Sequence, residues 1–140
     1  MVGDGGVPVV VVDAANVVGS VPDGWWKDRR GATERLRDVL VGMASAGLPG
    51  GASVPEWARH GPLHIVLVVE GAAGGVAEVP GVRVVRAPGS GDDRMVELVA
   101  AERASAPARR CLVVTADRGL RDRVRAHGAE VTGPRAVRPG

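Results

Sequence analysis

Five carboxylates and one amide stand where this chain changes from apolar to polar. Asp13 closes the run VPVVVV, and Asn16 follows it by three residues. Glu70 closes LHIVLVV, Asp92 and Asp93 stand side by side in GSGDDRMVELV, and Asp117 ends LVVTAD. With no paired histidines and Cys111 as the only cysteine, such a set could hold a hard cation through oxygen alone, Mg2+ or Mn2+ rather than zinc. A cation held by carboxylates keeps bound water, can activate it, and can offset charge on a phosphoryl oxygen. The chemistry this points to is phosphodiester hydrolysis. Asn16 would add an orienting amide and no further negative charge.

Each acid also has an ordinary structural role. Asp13 and Asn16 suit the turn after a strand, and Asp117 suits the N-cap of RGLRDRV. Ser90 and Asp93 match a capping box, Asp92 is favoured in a first helical turn, and Glu70 could simply hold the Gly-rich loop that follows it. Brought to one edge, however, these acids would crowd like charges, with Arg94 and Arg118 as adjacent cations too few to neutralise them all. Such crowding is costly unless a cation intervenes.

The elements that must position them read in order. Residues 7–12 form a continuous β-branched run, a buried strand, and 19–24 a loop. A helix runs from Asp28 or Thr33 to about Ala46, with Leu36, Val39, Leu40 and Met43 on one stripe and a stop at Gly47. Residues 50–62 connect, with one helical turn. Residues 63–71 form a second strand and 81–88 a third. GSGDDRMVELVAAERA opens a helix with Met95, Val96, Leu98 and Val99 inward. RRCLVVTAD is a fourth strand, RGLRDRVRAHG a helix closed by Gly128, and AEVTGP a fifth strand at an edge. Strands alternating with helices imply a mostly parallel sheet covered on both faces, with ligands beyond the C-terminal strand ends. Asp13, Glu70 and Asp117 fall on that edge.

The bulk properties bound the reading. The 140 residues fit one domain, 1–140, with a core of about 7–131 and a tail of 132–140. A hydrophobic content of 45% argues against disorder, and no apolar run approaches the ~18 residues of a membrane span. The first residues carry no Lys/Arg cluster and their apolar run ends in an acid, so a signal peptide is not expected. One cysteine leaves no disulfide framework, and a reduced, cytoplasmic setting is the default expectation. Seventeen arginines against one lysine reflect a GC-rich coding bias more than a partner. Residues 1–100 carry a net −3 and residues 101–140 a net +5, compatible with a metal site beside a phosphate-binding face. There is no Walker loop, GAAGG is not a dinucleotide fingerprint, and no Ser sits in a nucleophile elbow. No second acid follows Asp13 by two residues, which counts against an aspartyl-phosphate phosphatase.

Taken in order, VVVVDAANVVGS, GSGDDRMVELV and LVVTADRGLRDRV resemble the NYN branch of the PIN-like ribonucleases, over about residues 7–131. The resemblance implies a three-layer α/β, PIN-like (Rossmann-like) fold, with four to five mostly parallel strands in the order 3-2-1-4-5. It implies RNA as substrate and a catalytic set of Asp13, Asn16, Asp92, Asp93 and Asp117. Of these, Asp13, Asp92 or Asp93, and Asp117 would hold Mg2+ or Mn2+, with Ser90 and Thr115 in support. A further acid of the family corresponds to Glu34 or Glu70. Two features depart from the family. Ala15 stands where an aromatic often precedes the Asn, and VPDGWWKDRRGATERL is an insertion. There Trp25 and Trp26, beside Lys27, Arg29 and Arg30, could stack bases and hold phosphates, or close a small core in a protein without Phe or Tyr. Arg94 and Arg118 would face the substrate, and Arg118, Arg121 and Arg125 share a helical face suited to a nucleic-acid backbone. Two other readings keep the same fold: a binding module without turnover, and a toxin-type nuclease held by a partner. Oligomeric state is open, a homodimer included.

Overall fold

Four consecutive valines, Val9 to Val12, offer water nothing on either side, and they form the centre of the sheet. The computed structural model describes residues 6–21, 24–51 and 53–138. Parts of the expected N-terminal segment, 19–24 loop, 50–62 connector and 132–140 tail lie outside the described residues. Strand β1 (Val9–Asp13) is buried along its whole length. It pairs in parallel with β2 (His64–Val69) on one side and β4 (Cys111–Val114) on the other, Val11 lying opposite both Val66 and Val113. The edge strands β3 (Val82–Arg86) and β5 (Glu130–Thr132) complete a parallel sheet of order β3-β2-β1-β4-β5. This is the expected α/β architecture and strand order.

The two-residue period of β1 divides the core. Val10 and Val12 pack with Val17 and Val18 of α1 (Ala14–Val18) and with Leu36 and Leu40 of α2 (Arg29–Ala46). Val9 and Val11 pack on the other face with Met95 and Val99 of α3 (Gly91–Ser105) and Leu120 and Val124 of α4 (Arg118–Arg125). Three layers result, and every strand end on one edge meets the start of a helix or turn.

Helix α2 starts where Asp28 accepts a hydrogen bond from the Gly31 N–H at 2.9 Å. It ends at Gly47, whose φ of +98° is a conformation that glycine adopts without steric cost. Its buried stripe runs through Ala32, Thr33, Leu36, Leu40 and Ala44, so Val39, expected inward, lies 52% exposed. On α3 only Met95 and Val99 of the four expected residues are buried, while Val96 and Leu98 are partly covered. An N-cap of this type is worth about 1 kcal/mol. Asp28→Ala is therefore expected to lower stability by that amount, read as a lower urea midpoint at unchanged slope. An unshifted midpoint would show that water replaces the cap without loss.

Two boundaries differ from the sequence expectation. Residues 14–18, expected as the turn after β1, form α1, and Asp13 is at once the last residue of β1 and the N-cap of that helix. The segment set apart as a tail is also packed. Pro134–Ala136 form a 3-10 turn, Ala136 and Val137 are buried in the same core as α1, and Arg138 donates to the carbonyls of Val17 and Val18 at 3.5 and 3.3 Å. No helix among the described residues is long and apolar enough to cross a membrane.

Candidate acidic site

Asp13 is placed by backbone that has no freedom to move it. It ends a strand that is buried along its whole length and is itself only 6% exposed. Its Oδ2 accepts the Thr115 hydroxyl at 2.9 Å, and its Oδ1 accepts the Asn16 N–H at 3.3 Å. Thr115, fully buried just past β4, uses the same hydroxyl oxygen to accept the Asp117 N–H at 3.1 Å. The Asn16 side-chain oxygen accepts the Ala116 N–H at 2.8 Å. Two neighbouring strand ends are thus laced together by one acid, one hydroxyl and one amide. Asp117 caps α4 by accepting the Leu120 N–H at 2.9 Å, and the Arg121 guanidinium donates to the Thr115 carbonyl at 2.8 Å.

The third strand end joins from the other side. Glu70, just past β2, accepts the Gly91 N–H at 2.9 Å through Oε2. Gly91 opens α3, and a Cβ there would run into the Glu70 carboxylate, so glycine is what lets the acid reach the helix start. Ser90 caps the same helix by accepting the Asp92 N–H at 3.2 Å, which sets Asp92 facing the group.

The electrostatics follow from this placement. Burial raises the Asp13 pKa to about 6; the hydrogen bonds from Thr115 and Asn16 oppose the rise, while the charges of Asp92 and Glu70 add to it. Asp92 is also raised, first by burial and then by Asp117 and Glu70, with Arg123 acting against them. Four carboxylates, on Asp13, Glu70, Asp92 and Asp117, therefore share one field. Among the described residues, no three His, Cys, Asp or Glu side chains stand close enough together to hold a metal ion. By chemistry alone, oxygen only and anionic, the donors suit a hard divalent cation, and the charges of Glu70, Asp92 and Asp117 each raise the pKa of a neighbour, a penalty that a cation removes.

Other candidates lie apart. Asp93 is exposed and pairs with Arg123 of α4 at 2.9 Å, so of the adjacent acids it is Asp92 whose charge bears on Asp13. Arg94 pairs with Glu97 along α3 at 3.2 Å. Glu34 pairs with Arg30 along α2 at 3.6 Å; of the two glutamates considered, Glu70 is the one at the acidic edge. Arg118, the first residue of α4, is exposed beside Asp117. Trp25 packs against the core while Trp26 is 55% exposed, the two rings meeting edge to face at 6.0 Å. The Arg29 guanidinium lies 5.4 Å from the Trp25 ring centre, and Lys27 is exposed. The bond from Glu70 to Gly91 was not legible beforehand; its one signal was an acid ending a buried strand.

No protein-family model matches the sequence, and no curated protein matches it. Solved structures do. The crystal structure of Rae1 (YacP) from Bacillus subtilis is similar with a TM-score of 0.69 at 17% identity, over 94% of this chain and 71% of that one. A tryptophan-to-leucine mutant of the same protein gives 0.67 at 16% identity, over 94% and 72%. At such identity the likeness is one of fold, the PIN-like α/β arrangement with strand order 3-2-1-4-5.

Proposed function

We propose that this chain is a Mg2+- or Mn2+-dependent ribonuclease that hydrolyses RNA phosphodiester bonds in the cytoplasm. The observation that carries the reading is the gathering of Asp13, Glu70, Asp92 and Asp117 from separate elements onto one sheet edge. There the charges of Glu70, Asp92 and Asp117 raise the pKa values of Asp13 or Asp92, and Arg123 opposes the rise at Asp92. A protein that only bound RNA would gain nothing from repelling phosphates at that point. The shared fold with Rae1 supports the reading at the level of architecture.

Asp13, Asp92 and Asp117 would hold the cation, with Glu70 as the further acid. When bound, the cation supplies a polarised water and positive charge against the scissile phosphate. The chain's own residues do the rest. Thr115 and the Asn16 N–H fix the Asp13 carboxylate, so that it meets its partners without rearranging. Asn16 locks the Ala116–Asp117 backbone against α1. Arg118, exposed beside Asp117, would meet a flanking phosphate.

The test is cleavage of a labelled RNA with Mn2+ or Mg2+ and with chelator. Cleavage that needs the metal, and is lost in Asp13→Asn/Asp117→Asn, is expected. Intact RNA in every lane, together with a melting temperature that millimolar Mn2+ does not raise, would favour the binding-module reading. The structural roles of Asp117 and Ser90 as helix caps would then account for them.

A further inference from the structure

Beside the acidic edge, on its α1/α2 side, lies a cavity of about 160 Å³ whose walls include Ala14, Ala15, Trp25, Arg29, Thr33 and Glu70. Its volume is below the ~300 Å³ at which pockets for drug-sized ligands begin, so it suits one small planar ring system. Two of its walls tie it to the site: Ala14 and Ala15 directly follow Asp13, and Glu70 belongs to both. Its lining is mixed. Trp25 is a rigid aromatic wall with the Arg29 guanidinium 5.4 Å from its ring centre, and Ala15 is small and exposed. The Thr33 hydroxyl proton is engaged by the Arg29 carbonyl at 2.8 Å, which leaves Glu70 and Arg29 as the charged groups open to a ligand.

We propose that this cavity receives one unstacked base of an RNA strand whose neighbouring phosphate lies at the acidic edge, and that the base is guanine. The proposal rests on the ribonuclease reading for its choice of polymer. A phosphate would be repelled by Glu70, whereas a neutral base can stack against the Trp25–Arg29 wall, the usual way single strands are held. The carboxylate is an acceptor only. Guanine alone among the four bases presents two adjacent N–H donors on its pairing edge. Its O6 and N7 are acceptors that an arginine can meet. Uracil would set two carbonyls against the carboxylate, and adenine and cytosine each offer a ring acceptor beside a single amino group.

The experiment is fluorescence anisotropy with Ca2+ in place of Mg2+ or Mn2+, a hard cation that offsets the acidic edge, comparing oligouridine with the same strand carrying one central guanine or adenine, with gels verifying that the strands stay intact. The wild-type chain is expected to bind the guanine strand about tenfold more tightly, the scale of one bidentate base contact. Glu70→Gln, whose amide still accepts the Gly91 N–H, should lose that preference and gain one for adenine. Ala15→Trp, which fills the cavity from its exposed wall, should bind all three strands alike. Circular dichroism melts verify that both variants fold. Equal wild-type affinity for all strands overturns the proposal, as does a guanine preference that survives both variants. Guanine selectivity in a chain that cuts no RNA with Mn2+ would sustain the pocket while the ribonuclease reading falls.

Discussion

Asp13→Asn is expected to reduce RNA cleavage at least a hundredfold, on the order seen when a charge-stabilising group is removed from an active site, and to make the metal-free protein more stable at neutral pH. The second half follows from burial. The Asp13 carboxyl titrates near 6 in the folded chain and near 3.9 when unfolded. Between those values the folded state holds a proton that the unfolded state has released, so stability falls as pH rises. The contribution is fully present below about pH 4 and lost by the time pH passes 6. A gap of that size corresponds to about 3 kcal/mol. Asparagine is as good an N-cap for α1 and has no charge to bury, so the loss should not occur. Urea unfolding of both proteins from pH 4 to pH 8, in chelator, isolates this residue as a difference curve. The two stabilities should diverge across the window from 4 to 6, the variant ending about 2 to 3 kcal/mol ahead. Parallel curves would mean that Asp13 is solvated in solution, and the acidic edge would lose its central member.

Thr115→Val should act in the opposite direction. Valine keeps the volume at a fully buried position but removes the hydroxyl that donates to Asp13 at 2.9 Å and accepts from the Asp117 N–H at 3.1 Å. A buried carboxylate then loses a hydrogen bond worth ~1.5–3 kcal/mol, and a helix-start N–H loses its partner. A total of about 3 kcal/mol is expected at pH 7.5, shrinking toward pH 4 as Asp13 becomes neutral. The double variant provides the internal control. With Asn at position 13 there is no charge to support, and Thr115→Val should cost less by 1 kcal/mol or more, a coupling of the kind expected between contacting residues. A loss that is independent of pH and of residue 13 would make the hydroxyl a matter of packing alone. Cleavage should also fall, because Asp13 and Asp117 lose the atom that holds them in register.

Much of this architecture was legible because its strongest signals are long. Four valines in a row can only be a strand covered on both faces, and the alternation with helices then dictates parallel pairing and puts acids on one edge. What was not legible depends on short or distant facts. Helix α1 has five residues, too few for a period to show, and its cap looked like a turn residue. Asp92 and Asp93 are neighbours on a helix, about 100° apart, and only the position of Arg123, thirty residues on, assigns one inward and the other to an ion pair. Glu70 reads as a loop residue until Gly91, twenty-one residues away, is known to leave it room. The C-terminal segment looked like a tail because Pro and Arg dominate it, yet Ala136 and Val137 are enough to anchor it. The paired tryptophans divided as their neighbours dictate, one against the core and one outward.

The central position of β1 has a consequence for how the molecule is made. Of the five strands of the sheet, the one synthesised first, β1, is the one that needs partners on both sides. The second of those partners arrives about a hundred residues later, the separation of Asp13 from Thr115 being 102. Long-range parallel pairing of this kind is slow, because the entropy of closing the loop is lost before contacts compensate for it. The nascent chain therefore carries an apolar, β-branched edge unpaired until β4 is made, the kind of species prone to aggregate. Asp13, charged at the end of that edge, is the kind of residue that flanks apolar strands and opposes their aggregation. Its burial waits for β4, because Thr115 just past that strand supplies the hydroxyl it accepts.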